Sequence, residues 1–177
     1  SASDVRPMIV GGGKWSIPDD DNNPVLTPAK RSARPQGADF VIYIEEKGQT
    51  VQDMSYQFAS NSYGGNDLSV LSKHLFEGRT IVSASYQHVP FQCAWFVRDD
   101  GVLLGMTYLK ENQVWGWHHH DTKHGFFENV CTISEGTEDR VYFLVRRRIN
   151  GQTKRFIERM ASRIYADPRD AYFVDCG

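Results

Sequence analysis

The chain has 177 residues, 40% hydrophobic and 12% aromatic, with 20 basic side chains against 22 acidic ones and a formal net charge of −2. That length and apolar content fit one folded domain with a real core and exclude a disordered or collagen-like chain. Near-neutrality removes any electrostatic reason to make nucleic acid or an anionic membrane the principal partner. The longest apolar stretches are strand-sized, too short to cross a bilayer as a helix.

Residues 1–37 read as a loose N-terminal segment: a strand hairpin followed by a loop rich in Pro and Asp. The loop concentrates turn formers in Pro18-Asp19-Asp20-Asp21-Asn22-Asn23-Pro24 and continues through Pro28, Pro35 and Gly37. Its Asp-Asn cluster lacks the spaced ligands and closing Glu of an EF-hand, so it reads as a solvated connection. Residues 38–177 are expected to be strands at Ala38–Glu45, Thr50–Phe58, Ile81–Gln87, Cys93–Arg98, Val102–Leu109, Val114–His119, Glu128–Ile133, Arg140–Arg148 and Thr153–Met160. One short helix is expected over Asp67–Glu77. Asn66 or Asp67 would cap it, Leu68, Leu71 and Leu75 recur at helical spacing, and Gly78 would stop it.

A weak internal repeat runs through these strands. Three hairpins each join an aromatic-rich strand to a second strand through a Gly-centred turn, at Gly48, Gly101 and Gly151, which are 53 and 50 residues apart. Asp-Gly and Asn-Gly suit tight hairpins because those turns need positive φ. Val102-Leu103-Leu104 and Tyr142-Phe143-Leu144-Val145 are apolar without alternation, as strands are when both faces are covered. The period and the two-sided strands favour about three propeller-blade-like repeats over a two-sheet sandwich. The fold class is therefore mostly β: blade-like antiparallel sheets of a partial β-propeller, with one short helix. Met8–Ile17 and Tyr172–Cys176 read as single strands lacking the rest of their blade, so this piece is expected to self-associate or to have mobile ends.

Cys93, Cys131 and Cys176 show no CxxC spacing, and an odd count argues against a disulfide framework or a structural zinc site. The one constellation that invites chemistry is Trp117-His118-His119-His120-Asp121 with His124. On a strand His118 and His120 face the same way, and His124 could approach from the next turn, which is enough for zinc. Consecutive histidines alternate sides and no fourth ligand is fixed nearby, so they read as hydrogen-bonded strand-end histidines, with no metal assigned. Arg146-Arg147-Arg148 with Lys154, Arg155, Arg159 and Arg163 reads as cross-strand ion pairing with Glu138, Asp139, Glu158 and Asp170. Tyr86, Phe91, Trp95, Trp115 and Trp117 could line a sugar-binding face, and they equally suit packing between sheets. No phosphate loop or nucleophile elbow is present, and no catalytic or cofactor-binding residue is assigned.

Particular strings then matter in their order. Asp67-Leu68-Ser69-Val70-Leu71-Ser72-Lys73-His74-Leu75 leads to Tyr86-Gln87 and to the run Ala94–Tyr108, which includes Trp95-Phe96-Val97-Arg98-Asp99-Asp100-Gly101. Val114-Trp115-Gly116-Trp117-His118-His119-His120, Val145–Gly151, Arg155–Met160 and Phe173–Gly177 follow. From about Gly13 to Gly177, this order resembles the β-propeller region of phage tail proteins related to the tail nozzle of short-tailed phages. Gly116 and His119 stand where the family's motif has Ala and Arg. The resemblance implies a non-catalytic structural component of the virion, made in the host cytoplasm. Its partners would be other tail subunits in a homo-oligomeric ring, through which DNA passes without sequence-specific contact. It also implies that this chain is a fragment of a longer one. The alternative on the same virion part is a carbohydrate- or receptor-binding module.

Overall fold

The computed structural model describes residues 40–45, 49–57, 59 and 61–171. The segment 1–37, the Asp-Asn cluster, Gly48, Cys176 and the expected terminal strands lie outside the described residues. Ten strands are described: β1 (Phe40–Ile44), β2 (Val51–Gln57), β3 (Ser62–Gly64), β4 (Ile81–Gln87), β5 (Cys93–Arg98), β6 (Leu103–Leu109), β7 (Val114–His120), β8 (Gly125–Glu135), β9 (Glu138–Ile149) and β10 (Gln152–Arg159). They form three antiparallel sheets in strict chain order, β1-β2-β3, β4-β5-β6-β7 and β8-β9-β10. The sheets do not close into a ring. Among the described residues no helix is long and apolar enough to cross a membrane.

The expected hairpins form as β1–β2, β5–β6 and β9–β10. Ile149 pairs with Gln152, leaving Asn150 (φ 49°) and Gly151 (φ 78°) as a two-residue turn with both φ positive. Asn-Gly is the dipeptide that tolerates this conformation best. Gly101 (φ 82°) turns β5 into β6, and a Cβ there would meet the Phe126 ring at 2.4 Å.

β5 explains the stacking. Cys93, Trp95 and Val97 point to one side and Ala94 and Phe96 to the other, and all five are buried. β6 does the same, with Leu103 on the Trp95 side and Leu104, Met106 and Tyr108 on the Phe96 side. A strand without a polar face must be covered twice. The second sheet is accordingly a middle layer. Ile42, Val51, Leu68 and Phe76 pack on its Phe96 side; Phe127, Val130, Val141, Phe143 and Val145 pack on its Trp95 side. Of the two runs expected to be covered on both faces, only the one in β6 is. In β9 Asp139, Val141, Phe143 and Val145 are buried, whereas Tyr142 and Leu144 on the opposite face are half-buried.

Each seam is fastened by a buried carboxylate. Between the first two sheets the Tyr108 hydroxyl donates to Asp53 Oδ2 at 2.6 Å. Asp53 Oδ1 accepts from the Asn66 backbone N–H at 2.6 Å and from Asn66 Nδ2 at 3.2 Å, and Lys110 Nζ lies 3.4 Å from Oδ2. Burial, then the bond to Asp53, push the Tyr108 hydroxyl pKa well up, so it stays a donor. Between the second and third sheets Asp139 Oδ2 accepts from the His88 and Val89 N–H groups at 2.9 and 3.0 Å. Gln87 Nε2 donates to the Asp139 carbonyl at 2.8 Å, and Ser83 and Ser85 reach Asn129 and Thr132 at 2.8 Å each. This seam is closest where β4 lies along β8, so the two sheets converge at their first strands.

The expected helix is not there; Val70–Leu75 is a 3₁₀ segment kinked at Ser72 (φ −128°, ψ 27°). The groups that would start a helix are spent elsewhere. Leu68 N–H donates to the Val51 carbonyl at 2.9 Å, the Leu68 carbonyl accepts from Trp117 Nε1 at 2.8 Å, and Asp67 Oδ1 takes both the N–H and the hydroxyl of Ser69. Leu71, the middle residue of the supposed apolar face, is 86% exposed.

Replacing Asp53 by Ala is expected to cost about 3 kcal/mol, because the buried Tyr108 hydroxyl is left without its acceptor. Leu71→Ala should stay within about 0.5 kcal/mol of the wild type. Urea unfolding of the two variants measures both.

Candidate functional site

The histidine strand β7 is the fourth strand of the middle sheet, and its register places His118 opposite Gly105 and His120 opposite Leu103. His118 and His120 share a face, as strand geometry requires, and His118 Nδ1 lies 2.7 Å from His120 Nε2. Both rings pack on buried Trp95, with centroids 5.5 and 5.8 Å away. Gly105 makes this possible, since a Cβ there would lie 2.0 Å from the His118 ring. His119 points to the opposite side, that of Trp115 and Trp117, and is itself exposed. His124 does not join the pair: it sits in the next turn at φ 54°, its carbonyl accepting from the Arg148 N–H at 3.2 Å. Among the described residues no group of three or more His, Cys, Asp or Glu is placed to hold a metal ion.

Sequence reasoning missed that Cys93 joins this cluster, its Sγ 4.0 Å from His118 Nε2. The contact crosses from β5 over Gly105 to β7, and nothing in the local sequence signals it. Burial pushes the Cys93 thiol up to about 11, against the opposing charge of Arg163 and a backbone hydrogen bond from Met106. It is therefore a protonated, apolar-like side chain at neutral pH, not an activated nucleophile.

Four arginines of the basic run, Arg146, Arg147, Arg155 and Arg159, are paired, with partners that sequence foresaw only in part. Arg147 makes the expected cross-strand pair with Glu158, Nε–Oε1 2.7 Å and Nη2–Oε2 2.9 Å, and also donates to Thr122. Arg146 and Arg155 both converge on Glu128, at 3.0 and 2.6 Å, and Arg159 lies 3.7 Å from Glu135. The hydrogen bond from Arg155 holds the Glu128 carboxyl below its ordinary range. The register of β8 on β9 shifts between Phe127 and Asn129, around Glu128, and a bulge of this kind leaves no pattern in the sequence. Glu138 pairs instead with Arg140 at 3.0 Å, Asp139 is taken by backbone N–H groups, and Arg163 lies over the Phe91 ring at 4.8 Å.

The five aromatics do not share a face. Trp95 is core on one side of the middle sheet; Trp117 and Trp115 pack on the other, Trp117 against Phe76 and Phe96 at 4.9 and 5.4 Å. Tyr86 stands edge-on to Phe40 at 6.5 Å, its hydroxyl pushed up to about 12 chiefly by burial. Phe91 is 48% exposed. Trp95, Trp115, Trp117 and Tyr86 are thus used in packing between layers.

Among the described residues, the outer face of the third sheet is not covered by another sheet. Ile133 and Ile157 are exposed there, with Cys131 beside them and half-buried Tyr142 and Leu144 beneath the ion pairs of Glu128 and Glu135. The Tyr142 hydroxyl donates to Glu135 Oε1 at 2.5 Å.

In the native chain at neutral pH, iodoacetamide is expected to modify Cys131 and leave Cys93 untouched, with urea releasing Cys93 to the reagent. Peptide mass spectrometry reads each cysteine separately. Comparison of the sequence with protein-family models and with curated proteins gives no match.

Proposed function

We propose that this chain is a non-catalytic structural module of a phage tail, a run of blade-like sheets of a β-propeller that acts through protein–protein contacts with other tail subunits. The observation that carries the reading is the succession of the sheets. Each is an antiparallel meander complete in sequence before the next begins, and each packs face to face on its neighbour. The convergence of β4 and β8, the first strands of their sheets, is what a radial arrangement of blades requires. Hairpin turns about fifty residues apart accord with it, as does the order of the strings quoted above.

In this reading the outer face of the third sheet meets another part of the tail. Its exposed isoleucines, set among ion pairs, resemble the mixed apolar and polar make-up of contact surfaces between subunits. The near-zero net charge suits a wall past which DNA moves without being held. In the assembled tail such modules would surround the channel as a ring.

The test is biochemical. Particles purified from the phage or induced prophage that encodes the chain are expected to contain its peptides at the stoichiometry of a ring component, with gold-labelled antibody bound at the tail. Abundant chain in the lysate but none in gradient-purified particles would contradict the proposal.

A further inference from the structure

Among the described residues β10 is an edge strand: β9 lies on one side of it and no strand on the other, where the middle sheet has its fourth strand β7. The backbone of β10 shows which groups face that edge. The Met160 N–H donates to the Val141 carbonyl of β9 at 2.9 Å, and Gln152 closes the two-residue turn against Ile149. Backbone groups alternate in direction along an antiparallel strand. Gln152, Lys154, Phe156 and Glu158 therefore bond to β9, and Thr153, Arg155, Ile157 and Arg159 turn their N–H and C=O groups to the free edge. Such an edge is a template for another strand.

The side chains select the strand that fits. Lys154, Phe156 and Glu158 follow one another along one face, opposite Arg147, Val145 and Phe143 of β9. Lys154 thus faces a like charge within its own sheet, and the Phe156 ring is 37% exposed. This row is self-complementary when it meets itself running the other way. Centred on Phe156, an antiparallel pair of β10 strands sets Lys154 of each copy opposite Glu158 of the other and brings the two Phe156 rings together. Glu158 already holds Arg147 through both oxygens, and each oxygen keeps a further lone pair for the incoming ammonium.

Other registers fail. A shift by one residue would oppose groups that face the edge with groups already bonded to β9, and would turn the faces over. A centre at Arg155 sets its guanidinium against its own copy, and a centre at Ile157 sets Arg155 against Arg159. Like charges directly opposite are destabilising, and unlike charges or paired aromatics are favourable. In the Phe156 register these favourable pairs occupy the non-hydrogen-bonded positions, where side chains approach most closely.

We propose that β10 is a self-recognition edge: two copies of the chain pair antiparallel through it about a two-fold axis at Phe156, and their third sheets become one. The contact is isologous, each residue meeting its complement twice. Ile157, 79% exposed in the single chain, then lies along the aliphatic stem of Arg155 of the other copy. The pairing needs no other tail subunit and does not rest on the role proposed above.

Sedimentation equilibrium of the whole chain over a concentration series is expected to show a monomer–dimer equilibrium. Residue-resolved amide exchange over the same series should show protection of Thr153, Arg155, Ile157 and Arg159 rising with concentration. Lys154, Phe156 and Glu158, bonded to β9, should be protected throughout. Lys154→Glu makes both charge pairs repulsive and should weaken the dimer about tenfold. Adding Glu158→Lys restores unlike pairs and should restore the dimer. Ile157→Pro removes a donor that faces solvent in the monomer, so the fold should survive and the dimer should not. If that variant does not fold, the Lys154→Glu and double variants decide. A monomer at every concentration would overturn the proposal. So would edge protection independent of concentration, which means an occupant from the same chain, or a dimer as tight in Lys154→Glu as in the wild type.

Discussion

β5 and β6 carry buried residues on both sides of the strand, and a sheet built around them is stable only as the middle of three layers. Cys93 to Val97 are buried without exception, and Leu103, Leu104, Gly105, Met106 and Tyr108 are buried with only Thr107 half-exposed among them. Removing such a sheet from water on one side only would leave Phe96 and Leu104, or Trp95 and Leu103, exposed. The first and third sheets exist, in energetic terms, to cover these rows. They need only one apolar face each, and β9 alternates accordingly. Non-directional apolar packing does not fix how layers are oriented. That is supplied by Asp53 and Asp139, whose buried carboxylates must accept hydrogen bonds and take them across the seams, from the buried Tyr108 hydroxyl and from the His88 and Val89 N–H groups.

Much of this was legible in the sequence. β4 and β5 have the bounds read from their β-branched and aromatic runs, and the Asn150-Gly151 turn follows from its dipeptide. The two-sided character of β6 is written in Val102-Leu103-Leu104. The helix failed for a reason periodicity cannot express. The Leu68 amide and carbonyl were claimed by Val51 and Trp117, which are distant in sequence, and local propensity yields to such tertiary bonds. The three-residue strand β3 is too short to carry a pattern of its own. Apolarity misled in β9, where Leu144 and Tyr142 sit beneath arginine–glutamate pairs and no sheet among the described residues covers them.

The candidate site divides in the same way. That His118 and His120 share a face follows from strand period alone. That they bond to each other, rest on Trp95 and meet Cys93 depends on Gly105, whose missing Cβ leaves the room a ring needs. The cross-strand pair Arg147–Glu158 was legible from the hairpin. The double salt bridge at Glu128 was not, because it depends on a local shift of register. The result is a molecule whose aromatic residues are mostly spent on layer packing and whose ionic groups are mostly spent on one another.

The central claim is that the middle sheet is covered on both sides, and neighbouring residues of β5 test it most directly. Trp95 and Phe96 are adjacent in sequence, point in opposite directions and belong to different cores. Truncating either to Ala should cost about 3–5 kcal/mol, measured by chemical denaturation of the whole chain. Comparable losses for both are the result a three-layer stack requires. A large loss at one and a change within about 0.5 kcal/mol at the other, as for a surface position, would mean that one face is open to solvent and would contradict the architecture.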